Sequence, residues 1–150
     1  MASKTKVEGG RDLDKALMEL SKAAGKAAVR RALMKAGEPI AEAGAAAAPV
    51  GPTGNLNKSY GVGTKLTQRQ AKMARRETKN HVEVHVGPND PAAIQTEFGN
   101  EHQAAEPHLR PAWDGNKHQA LEIVKIELGK EIDKSVARAA KRAARLAAKG

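Results

Sequence analysis

The chain has 150 residues and a net charge of +9, the size of one domain able to bury a modest core. It has no cysteine, which removes disulfides, thiolate catalysis and Cys-ligated zinc from consideration. Residues 1–11 contain no apolar h-region, and no window approaches about eighteen apolar residues free of charge, so neither a signal peptide nor a membrane-spanning helix is expected.

Alanine dominates the apolar content, with a single Phe (Phe98), Tyr (Tyr60) and Trp (Trp113). Ala-rich helices pack closely but bury little area, so the core is expected to be thin and completed in part by neighbouring subunits. Each third of the chain carries +3 (nine basic residues against six acidic, seven against four, ten against seven). The one local concentration is the tail, where Lys134, Arg138, Lys141, Arg142, Arg145 and Lys149 follow Asp133 with no further acid. Such a balance favours polyanions such as nucleic acid or an acidic protein surface, and is equally compatible with a solvated basic helix.

In chain order, residues 1–10 are polar and expected to be flexible, and residues 11–150 are expected to form one domain. Leu13, Leu17, Leu20 and Ala24 open a helical face that continues through Ala28, Ala32, Ala36, Ile40 and Ala43. This predicts one long or two consecutive helices over 13–47, divided at Gly25 or Pro39 and stopped by Pro49. The turn at 49–54 precedes a predicted strand over 57–66 carrying Tyr60 and Val62. Residues 67–79 have almost no large apolar side chain and five cations (Arg69, Lys72, Arg75, Arg76, Lys79), which predicts an exposed loop or frayed helix. His81 to Val86 alternates as a strand, with Val82, Val84 and Val86 on one face. Residues 92–99 read as a short strand or helical turn, and Pro111 opens a final helix of roughly 35 residues, about 50 Å long. A helix of that length outruns a small core, so its last turns need a partner or remain exposed. The outline is α+β: long N-terminal and C-terminal helices around a small antiparallel sheet.

No arrangement of residues points to catalysis. Gly51-Pro-Thr-Gly54 with Lys58-Ser59 lacks the Gly before Lys, and the strand–loop–helix order, of a phosphate-binding loop. His81 and His85 stand about 13 Å apart along a strand, too far to share a metal. His102 and His108 share a loop with Glu101 and Glu106 but lack tight zinc spacing, and read as surface residues. There is no nucleophile elbow and no paired acid/base carboxylate, so a non-enzymatic role with no cofactor and no metal is expected. The basic tail has no helix-turn-helix and no aromatic platform, which leaves nonspecific contact with nucleic acid.

Two stretches carry a resemblance. One is Ala46-Ala-Ala-Pro49-Val-Gly-Pro-Thr53-Gly54-Asn-Leu56-Asn-Lys-Ser59. The other is Glu97-Phe98-Gly99-Asn100 followed by Glu106-Pro107-His108-Leu109-Arg110-Pro111-Ala112-Trp113-Asp114. In this order, over residues 13–128, they resemble the tail-component family of siphophages, small neck or tail-completion proteins. Members carry a P-x-x-T-G-x-L turn, then Glu-Phe-Gly-Thr, then Pro-Phe-Leu-Arg-Pro-Ala at the start of a long helix. Asn100 stands where Thr is usual and His108 where Phe is usual, and a common Tyr before the Glu-Phe-Gly is absent around Ile94 and Gln95.

The resemblance implies a structural virion protein forming a closed ring, a hexamer in the family's terms, at the head–tail junction. Its partners would be copies of itself, the head-closure or connector protein, the tail-terminator or tail-tube protein, and packaged DNA by nonspecific contact. Its place would be the virion neck, and the host cytoplasm during assembly. The alternative is a small, nonspecific, chromatin-like DNA-binding protein. Phe98 is expected to anchor the loop in the core, with Leu109 and Trp113 packing across the helix start. Arg110 is placed either to pair with a carboxylate, Glu97, or simply to solvate the helix end. Arg69 to Lys79, then Arg138 to Arg145, are the candidate DNA or partner contacts.

Overall fold

The computed structural model describes residues 22–66, 68–73 and 81–149. The expected flexible start, the helical face through Leu13, Leu17 and Leu20, and Arg75, Arg76 and Lys79 all lie outside the described residues. Helix α1 runs Lys22–Ala47, a helical turn α2 spans Asn55–Lys58, and strand β1 is Tyr60–Gly63. Helix α3 (Gln68–Met73), strand β2 (His85–Pro88), helix α4 (Ala92–Phe98) and helix α5 (Leu109–Ala147) follow. The architecture is mostly helical, with long helices at either end of the described chain around a two-stranded antiparallel sheet.

Helix α1 continues through Pro39 without dividing, although that residue has no N–H to give to the carbonyl one turn earlier. It ends where Pro49 disfavours helical geometry in the residue before it. One face repeats every four residues, Ala28, Ala32, Ala36, Ile40, Gly44 and Ala48, and all six are buried. Side chains this small let neighbouring elements approach the α1 backbone closely. Helix α5 lies antiparallel along α1, since Arg31 pairs with Glu131 at 2.8 Å and Lys35 with Glu127 at 2.9 Å.

The sheet packs against the C-terminal half of α1, where two glycines make room for it. A Cβ on Gly37 would lie 2.7 Å from Val86 Cγ2 and 2.9 Å from Val62 Cγ1, and one on Gly44 would overlap the Tyr60 ring. The register is Tyr60↔Pro88, Gly61↔Gly87, Val62↔Val86 and Gly63↔His85. Both strands are shorter than expected. Residues 55–58 turn as a helix instead, and the β1–β2 ladder ends at Gly63↔His85, which leaves residues 81–84 outside β2. A small cluster of Ala48, Leu56 and Ala93, with Tyr60 against it, closes the core.

At the end of α1 the side chain of Asn57 donates to the carbonyls of Ala45 (2.7 Å) and Ala48 (2.8 Å). It thereby supplies partners for carbonyls that the helix terminus leaves without one. Gly54, at φ 62°, takes the left-handed conformation that turns the chain into this position, and Leu56 is buried beneath it. The Pro49–Leu56 stretch is thus a device for reversing the chain after α1. Among the described residues, no helix is long and apolar enough to cross a membrane.

Candidate functional site

Helix α4 brings Thr96, Glu97 and Phe98 to the point where α5 begins. Gly99 follows at φ 74°, and a Cβ there would lie 2.8 Å from Ala105 N, so only glycine fits the returning loop. That loop is pinned by Glu106 N–H donating to Thr96 O at 2.7 Å. His108 then stands at the N-terminal boundary of α5 with its backbone aimed at α4.

Glu97 is 5% exposed, and its carboxylate caps α5 from a separate helix. Its Oε2 accepts from the backbone N–H of His108 (2.7 Å) and of Leu109 (2.9 Å). Its Oε1 accepts from the backbone N–H of Arg110 (3.1 Å) and from Arg110 Nε (2.9 Å). A helix start leaves about four N–H groups without partners. Here three of them go to Glu97, the next residue, Pro111, has no N–H, and Ala112 N–H makes the first helical bond to His108 O. Burial alone would raise the Glu97 carboxyl pKa, but the backbone donors from His108 and Leu109 and the two groups of Arg110 outweigh it and hold it near 2. The positive end of the α5 dipole acts in the same direction.

His108 is fully buried, contrary to its reading as a surface loop residue. Its ring meets Tyr60 edge-on, with centroids 5.7 Å apart, and Nδ1 is hydrogen-bonded to Tyr60 Oη. On the other side Nε2 lies 3.0 Å from Thr96 Oγ1, which in turn donates to the carbonyls of Ala92 and Ala93. Thr96 has only one proton to give, so a consistent network has His108 Nε2–H donating to Thr96 and Tyr60 donating to Nδ1. Burial, and then the Glu97 charge, push the Tyr60 hydroxyl up to about 12, which keeps it a donor. Sequence reasoning missed His108, Thr96 and Asn57. The polar identity of His108 and its Pro-flanked loop both pointed outward.

Phe98, expected in the core, is 65% exposed, and Trp113 is 53% exposed. The Arg110 guanidinium covers one face of Phe98, Cζ 4.9 Å from the ring centroid, while its Nη2 donates to Glu97 O at 2.9 Å. Ile94 lies one turn before Phe98 on α4 and is also exposed. Leu109 is half-buried beside Gly87, and Ala112 is buried. Pro107 is exposed in the loop before the cap, as are Pro111 in the first turn of α5 and Thr53 in the turn after α1. Pro49 is half-buried there.

This arrangement brings together Glu97, Phe98, Gly99, Leu109, Arg110 and Pro111. Leu56 packs with Ala93 of α4, so the turn that carries Pro49, Thr53 and Gly54 borders the same region at the end of α1. Arg69 and Lys72 sit on α3, and Arg138, Lys141, Arg142 and Arg145 on the last turns of α5. Every described side chain from Val136 to Lys149 is exposed, as a helix longer than its core requires. The Glu97 oxygens are occupied by four donors, so the carboxylate acts as a structural cap. Among the described residues no three His, Asp or Glu side chains converge to hold a metal ion.

The sequence profile of the HK97-gp10-like family, bacteriophage tail components, matches residues 11–99. The chain belongs to this family. It is therefore a structural component of a phage tail, and a virion protein. No curated protein and no solved structure matches the chain at a significant level. The HK97-gp10-like match spans the turn after α1, both strands and α4. It ends at Gly99, so the Pro107–Trp113 half of the cap lies beyond it.

Proposed function

We propose that this tail component works as one copy in a closed ring, sixfold by resemblance, at the head–tail junction. The ring joins the capsid-side connector to the tail-terminator or tail-tube protein and lets DNA pass, and no reaction is catalysed. The observation that carries this reading is the exposure of the chain's one Phe and its one Trp, 65% and 53%, beside a cap that is itself buried. Ile94 and Phe98 share a face of α4, Arg110 lies over Phe98, and Trp113 follows Arg110 by three residues on α5. An exposed apolar patch on a thin-cored protein marks a contact surface, and head-to-tail contacts between identical copies close into a ring when the rotation between neighbours divides a full turn.

Negative-stain microscopy with size-exclusion chromatography tests it. Discrete rings are expected, and Phe98→Ser with Trp113→Ser should leave far-UV circular dichroism unchanged while abolishing them. A wild-type chain that stays monomeric or dimeric and binds duplex DNA with a steep salt slope would instead indicate a small chromatin-like protein.

A further inference from the structure

The fold concentrates charge that the sequence spreads out. Residues 22–31 at the start of α1 hold Lys22, Lys26, Arg30 and Arg31 and no acid, a net +4. Residues 130–149 of α5 hold seven basic residues against Glu131 and Asp133, a net +5. Together these make the chain's whole +9, and the other residues balance at fifteen basic and fifteen acidic. The Arg31–Glu131 pair lays the two segments side by side, at the end of the α1–α5 hairpin away from the sheet.

On α5 the cations form one stripe. Lys134, Arg138, Lys141, Arg142, Arg145 and Lys149 fall at i, i+4, i+7, i+8, i+11 and i+15, one side of a helix, over about 22 Å. Arg138, Lys141, Arg142, Arg145 and Lys149 are exposed, and among the described residues none has an ion-pair partner. Where the stripe meets α1 there is a cleft of about 420 Å³ floored by Ala27 and Ala28, with Arg31, Lys134 and Arg138 around Glu131.

We propose that this end of the hairpin is a binding surface for duplex DNA, held through its phosphates without sequence readout. Contacts between proteins centre on aromatic and aliphatic anchors with charge depleted at the core. The stripe has the opposite make-up: cations separated by alanines that let a helix lie close to a backbone. Of its two large apolar neighbours, Val136 lies away from the stripe and Leu146 only borders it beside Arg142 and Arg145. Regularly spaced Lys and Arg on a rigid rod suit the evenly spaced phosphates of a duplex. The surface is distinct from the Phe98–Trp113 patch and does not depend on the ring.

A labelled duplex of about 30 base pairs, titrated by fluorescence anisotropy between about 50 and 200 mM KCl, reads the proposal. With about five phosphates neutralised, log K should fall against log salt with a slope of about −4 to −5. The variant R138A/K141A/R142A/R145A, whose alanines favour the helix, should lose at least about tenfold in affinity and about 3 to 4 units of slope. The variant K58A/K65A/R69A/K72A removes the same charge elsewhere and should change affinity less than about threefold. Acetylation footprinting of wild-type protein needs no variant: the duplex should protect Lys134, Lys141 and Lys149 and leave Lys58, Lys65 and Lys72 reactive. Equal weakening by both variants, protection of the second lysine set only, or tighter binding of polyglutamate than of the duplex would each overturn it. Oligomeric state recorded on the same samples separates this result from the ring: rings without the footprint overturn the DNA surface alone.

Discussion

Arg110 grips Glu97 in three ways. Its backbone N–H and its Nε both donate to Oε1, at 3.1 and 2.9 Å, and its Nη2 donates to the Glu97 carbonyl at 2.9 Å. One residue thus uses its main chain as part of a helix start and its side chain as a clamp on the cap. The free face of the guanidinium then shields Phe98.

Glu97→Ala leaves the N–H groups of His108, Leu109 and Arg110 without a partner in a buried site. Loss of a helix cap costs about 0.5–2 kcal/mol and each buried donor left unpaired adds to it. A loss of about 2–4 kcal/mol is expected by chemical denaturation followed at 222 nm. A change below about 0.5 kcal/mol would mean that α5 starts without help from α4.

The same cap sets an acid limit on stability. The Glu97 pKa is held near 2 against an ordinary value of 4.5, so the folded state binds this proton less readily than the unfolded chain. The stabilisation is present in full above pH 4.5 and is lost as pH falls from there through about 2. It is on the order of 3 kcal/mol, from the linkage of a pKa shift to folding. Denaturation midpoints measured across that window should drop in the wild type and stay flatter in Glu97→Gln. Parallel curves for the two proteins would sink the assignment.

Gly44 and Gly129 both lie in helices, and alanine should act on them in opposite directions. Nothing lies within 4 Å of a Cβ at Gly129, so Gly129→Ala should gain about 0.5–1 kcal/mol from helix propensity. At Gly44 a Cβ overlaps the Tyr60 ring, and Gly44→Ala should lose about 1–3 kcal/mol through displaced packing. Urea midpoints compare the pair, and a gain at both positions would refute the close approach of the sheet to α1.

Tyr60 and His108 should be energetically coupled. Tyr60→Phe removes the partner of a buried ring nitrogen, and His108→Ala removes the partner of the hydroxyl. A double-mutant cycle should give an interaction energy of about 1–2 kcal/mol. Additivity within about 0.5 kcal/mol would show the contact to be incidental.

Much of this was legible in the sequence because it depends on short-range pattern. The four-residue repeat of alanines announces α1, Pro49 announces its end, and the spacing from Trp113 to Leu146 announces α5. The Glu97–Arg110 pair was also within reach, since a carboxylate after a short element and an Arg before a helix-starting Pro suit one another. What failed depends on where segments meet. His108 reads as surface from its polarity and its loop, yet Tyr60 and Thr96, 48 and 12 residues away, satisfy both ring nitrogens. Phe98 reads as core from its apolarity, yet α4 turns its other face, with Ala93 and Glu97, inward. The even +3 of each third conceals the charged end, because only an antiparallel hairpin brings residue 31 to residue 131.

The cap at Glu97 also sets mechanical tolerance. Helix α5 has 39 residues and so reaches about 58 Å from its first turn. A tilt of about one degree at Glu97 therefore moves the far tip by about 1 Å, on the geometry of a straight helix. The starting N–H groups of α5 are bound to one carboxylate, and the Lys35–Glu127 and Arg31–Glu131 pairs hold it to α1 further along. The exposed turns beyond Glu131 therefore take their position from a clamp at the root of α5 and two struts at its middle.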